Sequence, residues 1–418
     1  MGWEKILVLM VFTGVYYLAL SRKIMLSHAA LGACAMLLVT GIVSPGQAFF
    51  EAIDWNVLGI YWGFMMVSFV FMKSRMPERI AGQVLKFARR EKYVLLLLCL
   101  ITAFLSAFMQ NVGVVLIMAP VAIATAKRLN SSLFRYMIAI AVSSNVVTTV
   151  TMVADPPSII LAMKTGMTFF DFYWFQGKAS LGTITLAGVA AAMLVLLIQF
   201  RDMTRTLDAE PEKVEARWGA SVLFVLGVMA LAAAPSFGIS PGWVGLATGL
   251  IALLMGRREL KEMLVTEFDW DSFLFVTGIF VIVFGVQATG LLEDFVGVLA
   301  GLGLREPWML LALLTWVSVG ISAVMDNVPY TILMIPVCQE LAVRLGISPW
   351  PLLFGMLVGT GIGGNITPVG ATANVFACGI LEKNGYKVRF GEYVKIGLPF
   401  SVAAVATAHA LIALVWLR

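Results

Sequence analysis

Two stretches decide how this chain is read: "SAVMDNVPYTILMIP" at 322–336 and "SAFMQNVGVVLIMAP" at 106–120. Each is apolar enough for lipid, yet each carries a polar knot, Asp326-Asn327 in one and Gln110-Asn111 in the other. Ser106, Asn111 and Pro120 recur as Ser322, Asn327 and Pro336, a constant displacement of 216 residues.

The composition around the knots sets the class. Of 418 residues, 60% are hydrophobic and 13% charged, with a mean hydropathy of +0.94. Soluble domains are roughly 45–50% apolar and about 25% charged. The chain therefore reads as an all-α polytopic membrane protein in the lipid bilayer. The formal net charge of +5 does not point to nucleic acid; membrane proteins concentrate Lys and Arg in cytoplasmic loops. Cys34, Cys99, Cys338 and Cys378 lie in apolar runs without CxxC spacing and read as small core residues. The start "MGWEKILVLMVFTGVYYLAL" reads as a first span rather than a signal peptide.

Spanning helices are expected at about 4–20, 25–43, 56–72, 133–163, 178–200, 219–235, 240–256, 270–288, 349–380 and 393–417. The knotted segments, about 93–128 and 308–345, bend at their centres and leave arms of about 16 residues. A full span needs about 20. Matched short or interrupted apolar segments are the sequence pointer to a transporter site. The repeat extends beyond the knots. "IDWNVLGIYWG" from Ile53 parallels "FDWDSFLFVTG" from Phe268, displaced by 215, and "TMVADPPS" (151–158) parallels "TPVGATAN" (367–374), displaced by 216. The expected units are 1–205 and 218–418, joined by a charged linker at 206–217. Each would hold about five spans, one of them a broken helix (about 133–163 and 349–380), and one re-entrant hairpin (about 93–128 and 308–345).

Five crossings per unit is odd, so the second unit must be inverted. All basic residues except Lys5, Lys164, Lys178, Arg305, Arg344 and Arg418 then fall on one side, 23 of 29. That side reads as cytoplasmic and both termini as external. An inner (plasma) membrane of a bacterium or archaeon is the expected location. "PERIAGQVLKFARR" from Pro77 reads as a basic amphipathic helix on the cytoplasmic surface, and its counterpart "EDFVGVLAGLGL" from Glu293 has lost the basic face.

Broken backbone inside a membrane must be buried in protein or line water. The tips Gln110-Asn111 and Asp326-Asn327 therefore need partners, and two polar stretches supply them. "SSNVVTTVTMVADPPS" (143–158) offers Asn145, Thr148, Thr149, Thr151 and Asp155; "GTGIGGNITPVGATAN" (359–374) offers Asn365, Thr367, Thr372 and Asn374. Half-helix ends facing a hairpin tip make a polar cage with dipole ends. Intramembrane acids are ion ligands or proton carriers by default. Asp326 is the first choice for proton or cation coupling and Asp155 the second, with a helix cap before Pro156-Pro157 as its structural alternative. Asn111, Thr149, Asn327 and Asn365 are ligands of the type that holds Na+. Asp54 and Asp269 head matching "DW" pairs and read as interface anchors with Trp55 and Trp270. His28 and His409 fall outside the cage, so no other metal site is expected.

These motifs resemble the ion transporter superfamily. "DNVPYTILMIP", "ADPPS" and "GGNITPVGATANVFACGILEKNGYKVRFGEYVKIGLP" are most similar to its branch of arsenite pumps, sodium–proton antiporters and the P protein. The resemblance implies inverted repeats, an elevator-type motion and a homodimer. The dicarboxylate-carrying relatives have a Ser-Asn-Thr triplet at each tip; here the tips read Gln110-Asn111-Val112 and Asp326-Asn327-Val328. The usual Asn after the double Pro is Ser158.

The expected activity is secondary transport of a small inorganic solute coupled to protons or sodium, with arsenite efflux by proton exchange first. Sodium–proton antiport and sodium-coupled anion or dicarboxylate transport are the alternatives. A passive channel and an intramembrane aspartyl protease using Asp155 and Asp326 are remote ones. No cofactor is expected beyond bound Na+ or transported protons. No nucleotide-binding loop occurs, so ATP-driven transport would need a separate ATPase subunit.

Overall fold

The computed structural model describes residues 2–21, 24–84, 88–206, 214–301, 303 and 306–417. Arg22, Lys23, Lys86, Lys213, Arg305 and Arg418 of the charge argument, and most of the linker, lie outside the described residues.

The fold is a helical bundle. The helices of the first half are α1 (Trp3–Ser21), α2 (Leu26–Val39), α3 (Trp55–Lys73), α4 (Met76–Val84), α5 (Glu91–Ser106), α6 (Asn111–Arg128), α7 (Leu133–Asn145), α8 (Pro156–Thr165) and α9 (Leu181–Gln199). Those of the second are α10 (Gly219–Ala233), α11 (Pro241–Met255), α12 (Trp270–Ala288), α13 (Leu291–Gly301), α14 (Pro307–Ser322), α15 (Asn327–Leu345), α16 (Trp350–Gly363), α17 (Thr372–Lys383) and α18 (Phe390–Trp416). A two-residue β-ribbon, Trp174–Phe175 with Lys178–Ala179, precedes α9. Among the described residues, seven helices are long and apolar enough to cross a membrane.

Each half frames its long third helix in the same way. Asp54 accepts from the backbone N–H of Asn56 and Val57 and starts α3; Asp269 accepts from Ser272 N–H at 2.9 Å and starts α12. Such caps satisfy donors that have no partner within the helix. The indoles behind them also match: Trp55 Nε1 donates to Phe49 O at 2.7 Å, and Trp270 Nε1 to Leu264 O at 2.6 Å. Both indoles are partly exposed, as expected of interface anchors.

The halves pack crosswise. α3 lies against α11, and α12 against α2. Small residues allow the approach: Gly59 and Gly63 of α3 meet Gly242 and Gly245 of α11, and a Cβ on Gly59 would stand 2.7 Å from Gly242 O. In a membrane, where lipid removes the hydrophobic drive between helices, such small-xxx-small contacts supply the packing. Polar crosslinks mirror them. Asp271 of α12 accepts from Ser27 N–H at 2.9 Å at the start of α2, and Asn56 of α3 accepts from Ser240 Oγ and Gly242 N–H at the start of α11.

The knotted segments are hairpins. The first closes on itself through Arg205: Glu91 N–H donates to Arg205 O at 2.8 Å, and Arg205 Nη1 donates to Leu129 O at 2.6 Å. Both ends of the α5–α6 pair thus meet one residue. Their second arms exceed the expected 16 residues, at 18 in α6 and 19 in α15. Pro120 and Pro336 lie inside these arms without ending them. Both long helical segments break where expected, between α7 and α8 at 146–155 and between α16 and α17 at 364–371. The basic surface helix forms over Met76–Val84; Leu85, Lys86 and Phe87 lie outside the described residues. Arg79 sits 5.5 Å above the Trp218 ring. Among the longer-range ion pairs, Lys73–Glu262, Arg135–Asp202, Lys5–Asp294 and Lys164–Asp54 each join residues that the charge argument puts on one face. The hydrogen bond from Arg135 holds the exposed Asp202 carboxyl below its usual range.

Candidate functional site

The two hairpin tips are built alike. Ser106 Oγ donates to Asn111 Oδ1 at 2.7 Å, and Ser322 Oγ to Asn327 Oδ1 at 2.6 Å. With Oδ1 held, each asparagine amide nitrogen has no protein partner among the described residues. The tips differ one residue earlier. Asp326 Oδ1 accepts from Val328 N–H at 3.0 Å and caps α15, whereas the Gln110 side chain makes no such bond to α6.

The broken helices clasp the tips. Thr151 Oγ1 donates to Ala107 O, and 216 residues on Thr367 Oγ1 donates to Ala323 O. Ser158 Oγ donates to Thr148 O at 2.7 Å, and its counterpart Asn374 Nδ2 donates to Gly364 O at 2.9 Å. The Ser158 that departs from the superfamily pattern thus closes its own break with the same bond. The two breaks also bond to each other. Asn145 Nδ2 donates to Asn365 Oδ1 and Asn374 Oδ1, both at 2.9 Å, and Asn365 Nδ2 donates to Val142 O at 2.9 Å.

These tips and breaks surround a cleft of about 690 Å³, counting space continuous with solvent. Of the thirteen residues expected at the site, the cleft gathers Gln110, Asn111, Asn145, Asp155, Asp326, Asn327 and Thr372. The other six are not on its wall. Thr151, Asn365, Thr367 and Asn374 make the clasps above. Thr149 Oγ1 is 2.8 Å from Thr185 Oγ1, and Thr148 is buried against Gly361 with its hydroxyl unpartnered among the described residues. Thr149 and Asn365, two of the four expected Na+ ligands, are therefore occupied with protein contacts.

Asp155 stands at the N-terminal end of α8 but makes no capping bond, and its side chain lines the cleft. The capping role offered as its structural alternative is therefore not taken up. A third carboxylate, Asp269, also lines the cleft, with Ser272 and Tyr61. Sequence reasoning placed Asp269 at the interface beside Trp270. The structure divides the pair: the indole is partly exposed, while the carboxylate turns inward to accept from Ser272 N–H and, at 2.5 Å, from Ser272 Oγ. No Lys or Arg lines the cleft among the described residues. The wall thus combines carboxylate acceptors with amide donors, and among the described residues its formal charges are negative.

The citrate transporter model, CitMHS, matches residues 16–359. The chain belongs to the CitMHS citrate transporter family. It is similar, at 29% identity over 99% of this chain and 98% of the other, to an uncharacterised transporter of Mycobacterium tuberculosis H37Rv. It is 24% identical to the human P protein, covering 94% of this chain and 58% of that protein. The crystal structure of the Alcanivorax borkumensis YdaH transporter matches with a TM-score of 0.57 over 91% of this chain and 87% of the other, at 14% identity, which speaks to fold. The superfamily resemblance read from the motifs holds, P protein included. This CitMHS member is an integral membrane transporter, and its role is transport rather than catalysis.

Proposed function

We propose that this transporter is a secondary active carrier in which Asp155 and Asp326 bind the coupling proton or cation and the amides of Asn111 and Asn327 hold the cargo. The observation that supports it best is the pairing of two carboxylates, one from each half, in a cleft without basic side chains among the described residues. Intramembrane acids in such a setting are proton or ion sites. Protons are favoured over sodium, because Thr149 and Asn365 already bond within the protein. The matched hydrogen bonds of the halves favour inverted repeats, 1–205 and 218–418, moving as an elevator within a homodimer.

For the cargo, an acidic cleft with amide donors suits a small neutral hydroxide such as arsenite, expelled by proton exchange. Citrate is the second reading, favoured by the family match over 16–359. Three carboxylates on the wall would repel a free tricarboxylate. Citrate is then expected only with its charge neutralised by protons or a bound divalent cation.

Flux in proteoliposomes tests both. Arsenite, citrate with and without a divalent cation, and sodium are each supplied under an imposed pH gradient. Flux of arsenite or neutralised citrate that follows the pH gradient supports the reading. Equilibration of cargo that ignores both proton and sodium gradients overturns it in favour of a channel.

A further inference from the structure

Three cavities follow one another along α3 and share wall residues. The cleft is the innermost. A second, of about 320 Å³ counted with space continuous with solvent, shares Tyr61, Gln110 and Asp155 with it. A third, of about 350 Å³, shares Met65, Ser68 and Gln110 with the second. Tyr61, Met65, Ser68 and Met72 follow one another at spacings of four, three and four residues, which is one stripe of a helix. At 1.5 Å per residue the stripe rises about 16 Å, roughly half of a ~30 Å hydrocarbon core. Beyond its outer end Lys73 pairs with Glu262 at 2.5 Å, and the exposed Glu267 borders the outer cavity. The stripe therefore leads from a mid-depth cleft to a charged rim.

Methionines supply much of the outer cavity wall, including Met65, Met72, Met109 and Met263. An unbranched thioether side chain adapts to changing shapes, so such a wall can widen and narrow at low cost. The matching stripe of α12 reads Val276, Phe280, Val283 and Gln287. There the Lys164 ammonium, 3.7 Å from Asp54, lies 5.7 Å from the Phe280 ring centroid.

We propose that this methionine-lined groove between α3 and the first hairpin tip is the aqueous route by which cargo reaches the cleft from the Lys73 face, with Ser68 at mid-passage. The inference rests on the cleft being the cargo site, but its test needs no cargo.

Cysteine is placed at Ser68 or at the exposed Glu267 in a chain whose Cys34, Cys99, Cys338 and Cys378 are replaced by alanine. Sealed vesicles of each orientation receive a cationic methanethiosulfonate that does not cross lipid. Both Ser68→Cys and Glu267→Cys should react from the same face, Glu267→Cys faster. Met65→Cys is the neighbouring probe should Ser68→Cys not fold. A Cβ on Gly113 would stand 3.0 Å from Met72 Sδ, so Gly113→Leu should fill the groove. It should slow modification of Ser68→Cys about tenfold, a barrier change of ~1.4 kcal/mol, and leave Glu267→Cys unchanged. Reaction at Ser68→Cys with a lipid-soluble maleimide alone would mean a crevice facing lipid and overturn the proposal. Reaction from the face opposite to Glu267→Cys would overturn it equally. Absence of arsenite and citrate flux alongside the expected labelling pattern would count against the cargo reading and leave the passage standing.

Discussion

Asn145 Nδ2 donates both of its hydrogens across the molecule, to Asn365 Oδ1 and Asn374 Oδ1 at 2.9 Å, and so ties the break in one half to the break in the other. All three residues are buried, and Asn145 also touches the cleft. One amide thus joins the architecture of the repeat to the wall of the site.

Removing that amide should be costly. Asn145→Ala leaves two buried acceptors each short of a donor, and a buried unsatisfied group costs about 1–3 kcal/mol. A fall in detergent Tm is expected, together with loss of transport. Asn145→Asp should do no better, because it turns an acceptor toward two acceptors. A thermal melt of both variants beside the parent checks this; an unchanged Tm for Asn145→Ala would show that the clasp does not hold the breaks together.

The coupling acids allow a cleaner test. Asparagine caps helices about as well as aspartate, so Asp326→Asn keeps the cap on Val328 N–H and removes only charge. Asp155→Asn has no capping bond to lose. Each variant should fold normally and lose proton-driven flux by at least about tenfold, as removal of a positioned proton carrier does. Intact pH-driven flux in Asp326→Asn would remove it from the coupling site.

The sequence made the repeat legible because a constant displacement needs no knowledge of packing. The tip asparagines, the two breaks and the acids Asp155 and Asp326 all followed from it. The division of labour did not. Thr151 and Thr367 look like free hydroxyls in sequence, but each is taken by a tip carbonyl that only the folded hairpin presents. Tyr61, Asp269 and Ser272 enter the cleft from α3 and α12, elements that reach it through tertiary packing. Asp269 was further masked by Trp270, whose interfacial character says nothing about where the preceding carboxylate turns. One signal was available: the paired DW positions put an aspartate at the N-cap of the same helix in both halves.

The crossing of α3 and α11 yields a stability prediction. Gly63 lies against the Gly245 backbone, and a Cβ on Gly245 would stand 2.5 Å from Gly59 O. Backbone cannot yield as a flexible side chain does, so Gly63→Val should force the helices apart. Overpacking of this kind costs about 1–3 kcal/mol and occasionally more. Gly32→Ala, where nothing stands within 4 Å, is the matched control and should be nearly silent. Equal Tm values for the two variants would mean that the crossing is not tightly packed in the membrane.

Asp269 is expected to tune the cleft rather than couple it. Ser272 occupies both of its oxygens, through N–H to Oδ1 at 2.9 Å and Oγ to Oδ2 at 2.5 Å, whereas Asp155 has no capping bond. A carboxylate whose two oxygens both already accept from Ser272 has fewer lone pairs left for a carried ion. It still contributes negative potential to the wall. Asp269→Asn retains a cap for α12 and removes that potential, so the apparent affinity for the driving cation should fall by several-fold, the effect of losing one nearby charge in a partly hydrated site. The ratio of protons to cargo should not change. Asp155→Asn should show the reverse, with coupling lost even at saturating cation. Measuring flux against pH gradient and cargo gradient together separates the two outcomes. A changed stoichiometry in Asp269→Asn would make it a third coupling acid.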